Sequence, residues 1–197
     1  MTSPISAEPP WLGQLETQPA RDFASYWLSR RGGLFMPRRR DIDPSEIRGL
    51  LPSICLIEVV SPETAVFRLA GTAHRETMGF EPTGRNIVDL VETAHRPIRA
   101  WRFWNSATQP CGQSAVIRAR FSSGLEDEIE FVLLPVHVDD PRARPLLCGV
   151  MASVGGRHWL NTKSAEQIAA PHRFRFLDIG AGVPDCVQPE HLREEAA

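Results

Sequence analysis

Apolar and polar positions change their period several times along the chain, and each change marks an element. Residues 20–31 set Phe23, Tyr26, Trp27 and Arg30 at three- and four-residue steps. This predicts a helix with an aromatic stripe, stopped by Gly32-Gly33. Ahead of it, Pro4, Pro9, Pro10 and Pro19 interrupt a stretch with little periodicity, so residues 1–19 read as a flexible tail. Asp43-Pro44-Ser45-Glu46 combines a capping residue, a first-turn proline and an early acid, the marks of a short helix that ends before Pro52. Residues 54–60 and 66–70 are apolar, partly β-branched runs on either side of Ser61-Pro62-Glu63-Thr64, which predicts a hairpin with Phe67 and Leu69 opposite Arg68. A helical turn through Met78-Gly79, a turn at Pro82-Thr83-Gly84 and a cap at Asn86 follow. Residues 95–108 give the longest helix of this region, with Ile98, Trp101, Trp104 or Asn105, and Thr108 on one face. Strict alternation returns in residues 114–121 and 128–138, where Ile117, Ala119 and Phe121 oppose Arg118 and Arg120, and Ile129, Phe131 and Leu133 oppose Glu130, Val132 and Leu134. Residues 146–154 form a last apolar run.

Two strands, a helical crossover and three strands make one α+β domain. The expected sheet is antiparallel and five-stranded, with helices on one face and the helix 20–31 covering or flanking the other. The domain spans residues 20–155, and residues 156–197 form a C-terminal extension. Phe174, Phe176, Leu177 and Ile179 predict that this extension is partly packed.

Composition narrows the class. Apolar residues make up 42% and charged residues 23% of the 197, an ordinary globular balance. The net charge of −2 favours neither nucleic acid nor a membrane surface as partner. No run approaches the length of a membrane span, and residues 1–12 carry no secretory signal, so a cytoplasmic protein with reduced thiols is expected. Cys55, Cys111, Cys148 and Cys186 are widely spaced and form no metal-binding pair, and none of the six histidines stands at zinc-ligand spacing. No metal site is expected. Asp178-Ile179-Gly180-Ala181-Gly182 has the look of a nucleotide-binding turn, but too little chain follows it for a helix and further parallel strands. It reads instead as the end of a C-terminal strand over residues 174–179. Arg38-Arg39-Arg40 lies beside Asp41 and Asp43 and reads as a self-neutralising surface. No nucleophile motif or phosphate loop is present, and no enzyme is expected.

The order of elements resembles the PAS fold. More closely, the chain resembles a bacterial family of small stand-alone PAS-type proteins. The resemblance is carried by Tyr26-Trp27, Arg31-Gly32, Asp43-Pro44 with Ile47, Leu51-Pro52, Arg68-Leu69-Ala70-Gly71-Thr72, and Gly79 with Thr83-Gly84, over residues 22 to 155. It implies a sensory or scaffolding role in signal transduction, often as a homodimer, with a signalling protein as partner and no shared ligand or catalytic residue. The Asn-Cys-Arg-Phe stretch of flavin photosensors is missing. A histidine-held haem is left open by the resemblance, with His95 the first candidate ligand and His74 the second, each also readable as a capping or surface residue. The cofactor is therefore unknown.

Two functions follow as expectations. In the first, a small molecule binds between sheet and helix 95–108, in a pocket lined by Phe67, Leu69, Met78, Ile98, Trp101, Trp104, Ile117, Phe131 and Leu133. Its binding shifts helix 20–31, whose Phe23, Tyr26, Trp27 and Arg30 meet a dimer mate or partner. In the second, the core is filled and the protein is a ligand-free interaction adaptor. A cavity of several hundred Å³ separates the two.

Overall fold

The computed structural model describes residues 8–121, 124–140, 142–156, 165–168 and 170–185. Among the described residues seven strands form one antiparallel sheet: β1 (Ile54–Ser61), β2 (Thr64–Ala70), β3 (Gly112–Phe121), β4 (Glu126–Val136), β5 (Leu146–Ser153), β6 (Ala165–Ile168) and β7 (Arg173–Leu177). Their order is β2-β1-β5-β4-β3, with β6 and β7 both pairing with β3. The hairpin and the three-strand meander expected from alternation are therefore joined through β1 and β5. The sheet is wider than the five strands expected because β6 pairs with residues 119–121 of β3 and β7 with residues 112–116.

Each face of the sheet has its own core. On one face, α2 (Thr72–Met78), the 3-10 turn Ile87–Leu90 and α3 (Arg96–Thr108) cover Cys55, Ile57, Phe67, Leu133 and Leu147. On the other, α1 (Gln18–Ser29) covers Val132, Leu134, Val136, Cys148 and Val150. Alternation along β4 sends Phe131 and Leu133 to the first core and Val132 and Leu134 to the second. Burying large apolar side chains on both sides is the main stabilising term of this three-layer arrangement.

α1 begins earlier than expected. Thr17 caps it, its Oγ1 accepting from Ala20 N, and Pro19 occupies the first turn where its missing N–H costs nothing. Residues 9–17 correct the expectation of a flexible tail over residues 1–19. Trp11, Leu12 and Leu15 are buried, and Trp11 Nε1 donates to the Asp178 carbonyl at 2.6 Å. Three large apolar side chains give this proline-broken segment enough buried area to stay packed.

Glu130 fixes the start of α1. It is 1% exposed, although alternation alone reads it as an outward residue. Its carboxylate accepts from Glu16 N at 3.0 Å, Thr17 N at 2.8 Å, Thr17 Oγ1 at 2.9 Å and Ser114 Oγ at 3.4 Å. These donors replace water around the charge, which is what burial of a carboxylate requires.

Several sequence motifs have local structural reasons. Asp43 Oδ1 accepts from Ser45 N at 2.8 Å and opens the 3-10 segment Pro44–Ser53. Gly71 closes β2 against that segment. A Cβ there would lie 2.3 Å from the carbonyl oxygens of both Leu51 and Pro52, so the chain approaches too closely for any side chain. The Asp178-to-Gly182 motif is a turn, in which Asp178 Oδ1 accepts from Gly180 N at 2.7 Å and Gly182 N at 3.0 Å. Arg38 and Arg40 correct the self-neutralising reading of the arginine run, because their side chains pair with Asp139 at 3.7 and 3.3 Å rather than with Asp41 or Asp43.

Candidate functional site

The expected pocket position, between α3 and the sheet, holds a cavity of ≈50 Å³. Its walls are Ile87, Phe103, Ala115, Ile117, Phe131 and Leu133, with Pro171 and Phe174 from the extension and Arg99, Arg102 and Gln113 as polar groups. The cavity holds a small fraction of the volume usual for a drug-sized ligand, so this interior is nearly filled.

The arginines are the unusual feature. They stand three residues apart on α3, which puts both on one helix face. The Nε atoms of Arg99 and Arg102 are buried and have no hydrogen-bond partner. Neither guanidinium takes part in any of the salt bridges or hydrogen bonds formed among the described residues. Arg102 instead lies over the Phe174 ring, 4.0 Å from its centre, a cation–π contact. Burial pulls the pKa of each down from 12.5 to about 10, and the charge of Arg102 adds to the effect on Arg99. Gln113, 5% exposed, adds the remaining polar wall.

The expected pocket residues are divided by the structure. Ile117, Phe131 and Leu133 line this cavity. Phe67 and Met78 lie in the same core, toward β1, β2 and α2. Leu69 does not face that core. It is 46% exposed on the opposite face, in an apolar groove of ≈600 Å³ bounded by Ile47, Leu51, Leu56, Val136 and Cys148. α1 covers β4 and β5 and leaves this part of β1 and β2 open. The phase of α3 is also corrected. Ala100, Phe103 and Ser106 are its buried residues, in place of Ile98, Trp101 and Thr108. Ile98 is half-buried, and Trp104 packs at the margin of the core. Trp101 turns toward β7, its ring 5.8 Å from that of Phe176 in an edge-on contact.

The four proposed contact residues of α1 are engaged within the chain. Phe23 and Trp27 are fully buried, and Trp27 Nε1 donates to the Pro135 carbonyl at 2.9 Å. They offer no surface to a partner, because the aromatic stripe is the face that packs on the sheet. Tyr26 Oη accepts from Asp43 N at 2.7 Å, and Arg30 pairs with Glu46 and lies over the Tyr26 ring.

Neither haem candidate adjoins the α3 cavity. His74 is fully buried, between Phe67 and Phe131, with Nε2 2.8 Å from the Ser53 carbonyl. A carbonyl only accepts, so Nε2 carries the proton, and burial holds the ring neutral with a pKa lowered to about 4. His95 stands ahead of α3, 4.0 Å from Glu92. Cys55 and Cys148 are buried thiols whose pKa values burial pushes up, Cys148 to about 12, so both are poor nucleophiles. Cys186, His158 and His191 lie outside the described residues. Among the described residues no group of three acidic, histidine or cysteine side chains is placed to hold a metal, and no helix is long and apolar enough to cross a membrane.

The lid of the cavity is tied to the far face. Arg173, beside Phe174, pairs with Glu16 at 2.8 Å and Glu128 at 2.9 Å. Arg31, at the end of α1, donates to the Ile179 carbonyl at 2.9 Å. With the Trp11–Asp178 bond, these contacts join β7 and its flanks to both ends of α1. Sequence reasoning missed Arg99, Arg102, Phe103, Gln113, Ala115, Ile87, Pro171 and Phe174. The one available signal was the three-residue spacing of two arginines on a helix that must pack on a sheet.

The fold and the residues together define a PAS domain. The PAS domain family matches residues 15–152, and the chain belongs to that family. Among solved structures it is similar to the Rhodobacter sphaeroides LOV protein, with 15% identity and a TM-score of 0.40 over 58% of this chain and 69% of that one. An RNA-binding light-oxygen-voltage receptor is 19% identical, with a TM-score of 0.43 over 56% of this chain and 33% of that one. A fungal LOV domain photoreceptor is 17% identical, with a TM-score of 0.39 over 58% of this chain and 94% of that one. No curated protein matches the sequence.

Proposed function

We propose that this PAS domain is a sensory and regulatory module that binds a small molecule between α3 and the sheet and signals through changed contacts with a partner protein or a second copy. One observation carries the reading: the buried Nε atoms of two guanidinium groups at the α3 interface have no hydrogen-bond partner, and neither group has a counter-charge among the described residues. Buried polar groups in folded proteins are nearly always satisfied, so two unpaired cations leave this site electrostatically unsatisfied, although its ≈50 Å³ is far below the several hundred Å³ set as the mark of a sensor pocket. The adaptor reading, with a fully packed core, leaves these charges without a reason. Family membership supports the sensory class, and no catalytic role is assigned to any residue.

The output runs through the extension. A ligand under Phe174 bears on β7, and β7 is bonded to the segment that starts α1 through Arg173 and Glu16. Ligand binding then shifts the balance between two settings of α1 only as far as its affinity for them differs.

Thermal shift of the full chain against a broad metabolite panel tests this. A stabilising compound that fails on Ala115→Leu, which fills the cavity, is the expected result. It should also slow amide exchange in residues 9–29. If no compound stabilises the wild type, or if every stabiliser works equally on Ala115→Leu, the adaptor reading replaces the sensor.

A further inference from the structure

We infer that the cavity at α3 is a site for a small carboxylate, its head on Arg99 and Arg102 and its short apolar body against Phe131 and Leu133. The inference rests on the ligand-binding reading above and names the chemistry of that site.

Three features of the cavity select the ligand. The first is charge. Arg99 and Arg102 project from one face of α3 into the same space, and no carboxylate among the described residues approaches either one. Two like charges held together repel, and an anion between them relieves both the repulsion and the missing hydrogen bonds. The second is the shape of the donors. A guanidinium presents a planar fork that matches the two oxygens of a carboxylate, whereas a neutral molecule leaves the charge uncompensated. Arg102 is further fixed by stacking on Phe174, so its orientation is set before a ligand arrives. The third is size and polarity. A water position needs about 10–15 Å³ of such volume, so ≈50 Å³ takes about three to five non-hydrogen atoms. That is a carboxyl group and one or two carbons. Apart from Gln113 and the arginines, the walls are apolar, which suits a short alkyl body and disfavours the hydrated oxygens of phosphate.

A molecule this small binds weakly, with a dissociation constant of about 0.1–10 mM. That suits a sensor of an abundant short-chain acid. Pro171 and Phe174 close the site from the extension, so the carboxylate meets the element tied to α1.

The test is calorimetric titration of the full chain with acetate, propionate, inorganic phosphate and neutral acetamide. Sodium concentration is held constant with sodium chloride. Acetate or propionate should bind saturably, with acetamide and phosphate at least tenfold weaker. Arg99→Gln and Arg102→Gln should each weaken the acid at least tenfold, and Ala115→Leu should abolish its binding while leaving both arginines in place. Melting curves of the three variants confirm that they fold. Equal binding of acetamide, preferred binding of phosphate, or full binding by either glutamine variant overturns the carboxylate assignment while leaving a ligand site in place. Absence of binding by all four probes also overturns it. The sensory reading then stands or falls separately, on whether the metabolite panel yields a compound sensitive to Ala115→Leu.

Discussion

Arg99→Met should make this protein more stable. In the folded chain the Arg99 pKa is lowered from 12.5 to about 10 by burial and by Arg102, and no acid among the described residues offsets either effect. A drop of that size means that the charged form is disfavoured by about 3 kcal/mol in the folded state. The side chain is half-buried, so solvent screening reduces the usable figure to about 1–2 kcal/mol. The sign follows from proton linkage. Below pH 10 the guanidinium is charged in both states and the penalty is present in full; it fades only as the pH rises from about 10 toward 12.5. At neutral pH, removing the charge therefore removes the whole cost. Methionine keeps most of the packed stem, so little apolar contact is lost in exchange. The expected gain of about 1–2 kcal/mol corresponds to a melting temperature higher by about 2–8 °C for a chain of this length. Urea unfolding of wild type and variant at pH 7 measures it directly, with equal slopes confirming an unchanged unfolded state. Arg173→Met serves as the opposite control, because its charge pairs with Glu16 and Glu128 and its loss should destabilise. If Arg99→Met lowers stability by 1 kcal/mol or more, the guanidinium is well satisfied and the case for an electrostatically unsatisfied site fails.

Three further outcomes are expected. Glu130→Gln puts an amide donor among groups that all donate, so stability should fall by about 2–4 kcal/mol in urea melts and amide exchange should quicken through residues 16–29; an unchanged midpoint would show that the start of α1 is held by packing alone. Gly71→Ala should cost about 1–3 kcal/mol, since its Cβ meets two backbone carbonyl oxygens that have nowhere to move; a neutral substitution contradicts that close approach. His74 is neutral when folded down to about pH 4 and takes up a proton near 6.5 when unfolded, so stability should fall by about 3 kcal/mol as the pH drops across that window. His74→Gln should flatten that limb of the pH profile, and an identical limb in the variant would assign the slope to other groups.

Much of the frame was legible because it depends on local alternation. Ile129, Phe131 and Leu133 repeat every second residue, and that period alone sends them to one face. Gly71 and Asp43-Pro44 were legible as turn and cap for equally local reasons. What escaped the sequence depends on contacts between distant segments. Trp101 reads as core on a helical wheel, but β7 supplies Phe176 from far along the chain to cover it outside the main core. Phe103 was overlooked for the same reason, because two tryptophans outweighed it in choosing the buried face. Glu130 reads as outward in its strand until the start of α1 arrives above it with three donors, to which Ser114 of β3 adds a fourth. The three-residue spacing of Arg99 and Arg102 was their one sign of a shared face, and it is a weak one, since surface helices bear arginines at that interval routinely.

The position of the candidate site relative to the family match bears on what can be transferred from relatives. The PAS match ends at residue 152, whereas Pro171 and Phe174 close the cavity from beyond it. Inside the matched span lie the sheet, α3 and both arginines. Beyond it lie the ring that orients Arg102 and the strand that carries Arg173 to Glu16. A relative that keeps the sheet but lacks an equivalent extension has no such lid, and its open α3 face admits water around the same cations. Water restores the hydrogen bonds that Phe174 helps to exclude and lowers the value of an anion there. The cavity at α3 is therefore built by the domain and its extension together. Residues 9–17 and 170–179, outside the expected span 20–155, pack on that domain, the first leading into α1 and the second covering the charges.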